Sequence, residues 1–338
     1  MALEHILSSN PKSICMGLGV NDPKRIFGTT KNLVELFGDK RIIEPPTSEN
    51  SLTGICLGMA LRGYSACLIH QRFDFSLLSF DQIINSISKW KFMLGQDDIN
   101  LPILIRLIVG RGWGQGPTHS QSYHSFLSSI PGINVLYPYS PESFYASVYS
   151  SMSGSEPTIL IEHRWLHNAE TQSKLNPANI ERIDGVRVVS QGHSITVFTY
   201  GYLVPEFINA AKLLSNHDVE LEILTTLSLS KIELSEIKKS VAKTGRLILA
   251  EPYTKECSIC STIALRMIEE NVLSQDVDFS LMSLPFAHES TSFLQTSKRY
   301  ITISSIIGNI NRMLGTSIPT PQSNYYHDIP GEWFKGPF

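Results

Sequence analysis

Short runs of Ile, Val and Leu alternate along the chain with longer stretches whose apolar residues recur at helical spacing, the pattern of buried parallel strands joined by crossover helices. In the first half the strand-like runs are "SICMGLGV", "SACLIH", "LPILIRLIV", "INVLYP" and "TILIEH". Between them, "LTGICLGMALRG", "FSLLSFDQIINSISKWKFML" and the stretch from Pro141 to Met152 read as helices. The polar, proline-bearing "ETQSKLNPANIERIDG" breaks the rhythm and reads as a linker. A second alternation follows, with "SITVFTY", a helix from Val204 to Ser215, "VELEIL", a helix from Leu234 to Thr244, "RLILAE" and a helix after Glu256. The expected fold class is α/β: two three-layer α/β/α domains with mostly parallel sheets. Their expected bounds are 1–185 and 186–318, followed by a Pro, Gly and aromatic-rich tail over 319–338.

Length agrees with two domains, since 338 residues exceed the usual single-domain range. An apolar share of 42% describes a globular chain, and no run approaches the ~20 apolar residues of a membrane span. With 28 Lys and Arg against 31 Asp and Glu and no like-charge block, neither nucleic acid nor an anionic membrane is an expected partner. The start "MALEHILSSNPKSICMG" lacks the long apolar stretch of a secretory signal, so the cytoplasm is the expected compartment. Among the five cysteines, Cys15, Cys56 and Cys67 lie in apolar stretches that suit buried thiols. Cys257 and Cys260 form a CxxC, but zinc needs two more ligands at suitable spacing and the remaining His and Cys are scattered. "CSICSTIALRMIEE" therefore reads as the opening of an apolar-faced helix rather than as a metal or redox pair, and no metal ligands are assigned.

General cofactor motifs do not match. "GLGVND" after the first strand lacks the third glycine of a dinucleotide fingerprint, and the chain contains neither GxxxxGK[ST] nor GxSxG. The stretch "GRGWGQGPTHSQS", from Gly110 to Ser122, has glycines that let a backbone approach another group closely, and it leads to His119. Glu49, just ahead of "SLTGICLGMALRG", is placed where a helix start favours its charged form and burial favours its neutral one. Read as the end of a strand, "HQRFDF" puts Phe73 and Phe75 on one face, and their parity does not choose between them.

Several stretches together resemble one family, the beta subunit of the thiamin diphosphate-dependent decarboxylating component of 2-oxoacid dehydrogenases of the pyruvate type. They are "IIEPPTSENSLTGICLGMALRG", "HQRFDFSLLSFDQIINSISKWKFMLG", "LPILIRLIVGRGWGQGPTHSQS", "IPGINVLYPYSPES" and "EPTILIEHRWLHN", followed by "ITVFTYG", "KTGRLILAEP" and "LPFAHE". The resemblance spans roughly Ser13 to Leu314 and implies a transketolase-like pyrimidine-binding domain followed by a transketolase C-terminal domain. It implies that Glu49 is the carboxyl group at the ring nitrogen N1′ of the cofactor's aminopyrimidine, a role that needs burial to outweigh the helix start. It makes Phe75 the ring stacked on the pyrimidine, with Gln71 beside it. His119 corresponds to the family's active-site histidine, suited to proton transfer near neutrality. Gln121 and Arg111 are candidate supports for His119 by proximity in sequence alone, and His163 and His167 are further candidate site neighbours.

Two departures qualify the resemblance. Where the family often carries a carboxylate, "MGLGV" has Leu18, which leaves a proton route between paired sites in question. The Gly-Asp-Gly motif that holds diphosphate and magnesium is missing, and family alpha subunits supply it. The implied protein therefore holds the aminopyrimidine half of thiamin diphosphate and acts with a separate alpha-type chain, as two of each. Its implied partners are a small 2-oxo acid and a lipoyl acyltransferase. Transfer of the fragment to an aldehyde or sugar acceptor, as in transketolases, and a non-catalytic scaffold role remain as alternatives. The oxo acid, the acceptor, a potassium ion near "SMSGSEP" and the role of the tail are left open.

Overall fold

The computed structural model describes residues 1–95, 98–110, 116–292, 295 and 298–321. They form two compact units. The first contains Met1–Val109, Ser122–Gly185 and Leu227–Ile232; the second contains Gly110–Gln121, Val186–Thr226 and Glu233–Phe338.

The first unit has a six-stranded sheet in which every pairing between strands is parallel. Its strands are β1 (Ser13–Gly17), β2 (Ile42–Ile43), β3 (Ser65–His70), β4 (Ile103–Val109), β5 (Asn134–Leu136) and β6 (Thr158–His163), in the order β2-β1-β3-β4-β6-β5. Every residue of β3, β4 and β6 is buried, which is why these strands read as unbroken apolar runs instead of alternating ones. Helices α1 (Ala2–Ser9) and α7 (Pro141–Ser153) bring Leu3, Leu7, Tyr145, Val148 and Met152 into a core with Cys15, Cys67, Leu104, Ile108 and Leu160 of the strands. The capping box of Ser140 and Ser143, with Pro141 in the first turn, fixes where α7 starts.

Helix α3 (Glu49–Leu61) packs against β3 and against the helical run that starts at Phe73. That run is not one regular helix. It consists of α4 (Phe73–Ser76), a 3₁₀ turn (Leu77–Ser79), a π segment (Gln82–Ile87) and α5 (Trp90–Leu94). Sequence periodicity anticipates the helical character but not the changes in winding, because Ile83 and Ile87 keep their place in the core through the wider turn. Two short elements, α2 (Leu33–Phe37) and β2, carry too few residues to show a period. The shorter α6 (His124–Ser128) follows the glycine loop. In the expected linker, Leu175, Ile180 and Ile183 pack on the first unit's core, and Tyr139 Oη donates to Glu181 at 2.9 Å.

The second unit has a five-stranded sheet ordered β11-β10-β8-β9-β7. Its strands are β7 (Arg187–Ser190), β8 (Ile195–Phe198), β9 (Leu221–Thr225), β10 (Arg246–Thr254) and β11 (Asp278–Leu284). The edge strand β7 is antiparallel to β9 and partly exposed, while the other pairings are parallel. Helices α8 (Leu203–Leu214), α9 (Ser235–Thr244), α10 (Ile259–Glu269) and α11 (Ile303–Leu314) complete it. Helix α9 is tied to β8 by polar bonds in a buried setting, with Thr196 Oγ1 at 2.6 Å from Ser240 Oγ and 2.7 Å from Thr244 Oγ1. The aromatic tail lies outside the described residues from position 322 onward.

Candidate active site

Because β2, β1 and β3 are neighbours in a parallel sheet, the loops leaving their carboxyl ends emerge side by side. Those loops carry Glu44 and Glu49, Leu18 and Gly19, and Gln71 with Phe75. Three of the four residues expected from sequence are thus gathered at one edge of the first unit. The fourth, His119, belongs to the Gly110–Gln121 segment counted with the second unit.

Glu49 is the first residue of α3 and is half-buried. Its backbone carbonyl accepts from Thr53 Oγ1 at 2.8 Å, which ties down the first turn. Gln71 is half-buried directly after β3, and its Nε2 donates to the Leu18 carbonyl at 2.9 Å, closing the β1 loop onto the β3 loop. This approach depends on Gly19, whose φ of 81° lies in the left-handed region and whose absent Cβ would sit 2.1 Å from Gln71 Nε2.

The structure corrects the expected strand and gives the two phenylalanines different surroundings. Both lie in α4, not at a strand end. Residues two apart on a helix point to different sides, so parity no longer groups them. Phe73 is fully buried, edge-on to Tyr123 with centroids 5.8 Å apart, whereas Phe75 is only half-buried.

His119 is half-buried, its Nδ1 lies 2.9 Å from Thr118 Oγ1, and its backbone N–H points to the Gly116 carbonyl at 3.4 Å. Arg111, Gly112 and Gly114 lie outside the described residues.

Two features of this edge were not anticipated. The Glu44 carboxylate accepts from Gly19 N at 2.6 Å and from Asn21 N at 3.0 Å, so a carboxylate does sit on the β1 loop although position 18 is Leu. Nothing in "IIEPP" marks Glu44, because its partners are backbone amides 23 and 25 residues away. The other is the Phe27 ring, which meets two guanidinium groups, Arg72 at 4.9 Å and Arg164 at 4.4 Å from its centroid. Phe27 ends a run of three non-glycine residues with positive φ, Arg25, Ile26 and Phe27. Such a left-handed run persists only where its surroundings hold it.

At the end of β6, Glu162 and Arg106 form a buried two-point ion pair, with Nη2 to Oε2 at 2.8 Å and both side chains 1% exposed. Burial works to raise the Glu162 carboxyl, but the Arg106 charge and hydrogen bonds outweigh it and bring it down to about 2. His167 Nε2 lies 3.5 Å from Glu162 Oε2, and His163 Nδ1 accepts from Trp165 N at 3.3 Å. Glu162, His163 and His167 line a cavity of about 430 Å³ on the first unit, together with Phe27 and Tyr145.

These residues suit the aminopyrimidine half of thiamin diphosphate: a half-buried carboxylate, a half-buried ring and an amide at one sheet edge. Among the described residues no group of three or more His, Cys, Asp or Glu could hold a metal ion. Also among them, no helix is long and apolar enough to cross a membrane.

Comparison with known proteins agrees with this geometry. Residues 1–168 match the family model of the transketolase pyrimidine binding domain, and residues 184–304 match that of the transketolase C-terminal domain. "Pyruvate dehydrogenase E1 component subunit beta-1, mitochondrial" of Arabidopsis thaliana is 29% identical over 273 residues, covering 80% of this chain and 75% of the relative. "Pyruvate dehydrogenase E1 component subunit beta" of Rickettsia bellii is 27% identical over 293 residues, covering 85% and 89%. "Acetoin:2,6-dichlorophenolindophenol oxidoreductase subunit beta" of Cupriavidus necator is 28% identical, covering 72% of each chain. A solved structure titled "Split gene transketolase, inactive beta4 tetramer" shares the fold with a TM-score of 0.73 at 18% identity, covering 93% of this chain and 96% of the other. The chain belongs to the transketolase-like family, with a pyrimidine binding domain followed by a transketolase C-terminal domain.

Proposed function

We propose that this chain is the beta-type subunit of a thiamin diphosphate-dependent 2-oxoacid dehydrogenase decarboxylating component, active with a separate alpha-type chain. The observation that supports the reading is the adjacency of β2, β1 and β3, whose following segments lead to Glu49, Gln71 and Phe75. Bound thiamin diphosphate supplies an electron sink for the carbanion left when a small 2-oxo acid loses carbon dioxide. Glu49 holds a proton at the ring nitrogen N1′ of the aminopyrimidine, and an alpha-type chain covering the edge completes the burial this role requires. Phe75 offers a flat apolar face that orients the ring without charge. Gln71 keeps the β1 loop in place through the Leu18 carbonyl. His119 moves a proton as the acyl fragment leaves.

No residue motif in this chain would grip diphosphate and magnesium, so those belong to the alpha-type partner, in an assembly of two alpha and two beta chains. The proposed acceptor is the lipoyl arm of an acyltransferase, and the proposed compartment is the cytoplasm. The relatives' names support a dehydrogenase over a transketolase-type transfer to sugars. Calorimetric titration of thiamin diphosphate with magnesium is the test, on the chain alone and mixed with a candidate alpha-type chain. Tight binding only in the mixture is expected, and Glu49→Gln should remove turnover while leaving assembly intact. Full turnover by Glu49→Gln, or tight binding by this chain alone, would overturn the reading.

A further inference from the structure

In the second unit, a pair of cysteines flanks the start of α10 beside a buried carboxylate that the proposed reaction does not use. Ser258 is the N-cap and accepts from Ser261 N at 3.0 Å, while Ser261 Oγ donates to the Lys255 carbonyl at 2.7 Å. These bonds pin the turn that carries both thiols. Cys257, just before the cap, is exposed and has a φ of 54°, a conformation costly for a residue with a Cβ. Cys260, in the first turn, is fully buried.

Behind the turn stands Glu251 of β10, itself fully buried. Its Oε2 accepts from Cys260 N at 3.2 Å and from Tyr200 Oη at 3.1 Å. Its other oxygen, Oε1, finds no hydrogen-bond partner among the described residues. Burial pushes this carboxyl up to about 7, against the hydrogen bonds from Ser258, Cys260 and Tyr200. Burial, with the nearby Glu251 charge, also holds the Cys260 thiol well above its ordinary value, so that sulfur needs a base before it can attack.

We propose that Cys257 and Cys260 are a redox-active dithiol that exchanges with low-molecular-weight disulfides, Cys257 reacting first, Cys260 resolving, and Glu251 taking the Cys260 proton. In the first step the Cys257 sulfur bonds to one sulfur of the small disulfide, whose S–S bond breaks. The released thiolate takes the Cys257 proton. In the second step Glu251 removes the Cys260 proton, Cys260 Sγ bonds to Cys257 Sγ, and the mixed disulfide breaks. The second small thiolate leaves and takes that proton from Glu251. Two protein thiols are thereby oxidised to one disulfide, and one small disulfide is reduced to two thiols. The roles follow from access: an incoming disulfide reaches the exposed sulfur and is sterically kept from the buried one. This proposal is independent of the thiamin reading, since it uses neither Glu49 nor His119.

The test incubates the full-length chain with oxidised glutathione, followed by acid quench and mass spectrometry of the cysteine peptides. Wild type is expected to pass through a glutathione adduct at Cys257 and accumulate the Cys257–Cys260 disulfide. Cys260→Ser should trap the adduct at Cys257, and Cys257→Ser should leave Cys260 unmodified. Glu251→Gln should slow resolution ~10-fold or more while leaving the first attack unchanged. A wild-type adduct that never resolves, or a pair that stays reduced under the same conditions, would overturn the proposal. Should Glu251→Gln fail to fold, the two cysteine variants still decide the matter.

Discussion

Replacing Glu162 with Gln tests how the end of β6 is held. Glu162 Oε2 accepts from Arg106 Nη2 at 2.8 Å, and both side chains are 1% exposed, so the variant leaves a guanidinium charge in the core without its carboxylate. Removing one partner of a buried pair costs about 3–5 kcal/mol, because the remaining charge stays desolvated. A second route gives a similar size. The Glu162 carboxyl falls from 4.5 to about 2 on folding, with burial opposing and Arg106 prevailing, so the folded chain binds fewer protons between those values. The stability from this group is complete above 4.5 and is lost as pH falls towards 2, and the interval corresponds to about 3 kcal/mol.

Urea unfolding followed by far-UV circular dichroism should therefore show Glu162→Gln weaker than wild type by about 3 kcal/mol at pH 7. At about pH 3 the gap should shrink by half or more, because the unfolded carboxyl is then protonated and the variant no longer differs in charge from it. The thermal midpoint at neutral pH should drop by roughly 6–12 °C. Replacing the pair together, Arg106→Met with Glu162→Leu, should recover most of the loss, since it leaves no buried charge. A neutral-pH gap below about 1 kcal/mol, or one that does not change with pH, would falsify the account of a desolvated pair. The same variant should loosen His163 and His167, which leave the same strand end.

Two further outcomes follow from the loops and the second unit. Gly19→Ala places a methyl group 2.1 Å from Gln71 Nε2 at a φ of 81°. It should cost about 1–3 kcal/mol and weaken thiamin diphosphate binding in the mixed assembly; unchanged urea midpoint and affinity would rule out the proposed closure of the β1 loop. Glu251 is raised by burial from 4.5 to about 7, so the folded chain binds more protons in that window, and stability falls as pH rises through it. Glu251→Gln should then be more stable than wild type by roughly 1–3 kcal/mol at pH 8 and close to it at pH 4.5; equal urea midpoints at pH 8 would remove the cost assigned to the buried charge.

What the sequence showed and what it hid divide along a physical line. Buried parallel strands announce themselves, because most residues covered on both faces are apolar whatever their parity, and "LPILIRLIV" and "TILIEH" become β4 and β6. Long helices that cover a sheet announce themselves by period, as the stretch from Pro141 to Met152 does in becoming α7. The edge where chemistry is proposed is different in kind. Phe73 and Phe75 were indistinguishable as strand residues and separated only when the chain was seen to turn helical directly after β3. Glu44 carries no local mark, since two amides far along the chain hold its carboxylate. Arg106 stands in an apolar run with no local partner, and the fold supplies one in Glu162 of the adjoining strand. In each case the missing information is a partner distant in sequence, and a pattern read along one chain segment contains no term for it. The glycine loop shows the converse: the family resemblance of "THSQS" singles out His119, yet it does not say what the imidazole meets. The candidate site residues were thus legible as types, while the partners of Glu44, Gln71 and Arg106 became visible only with the fold.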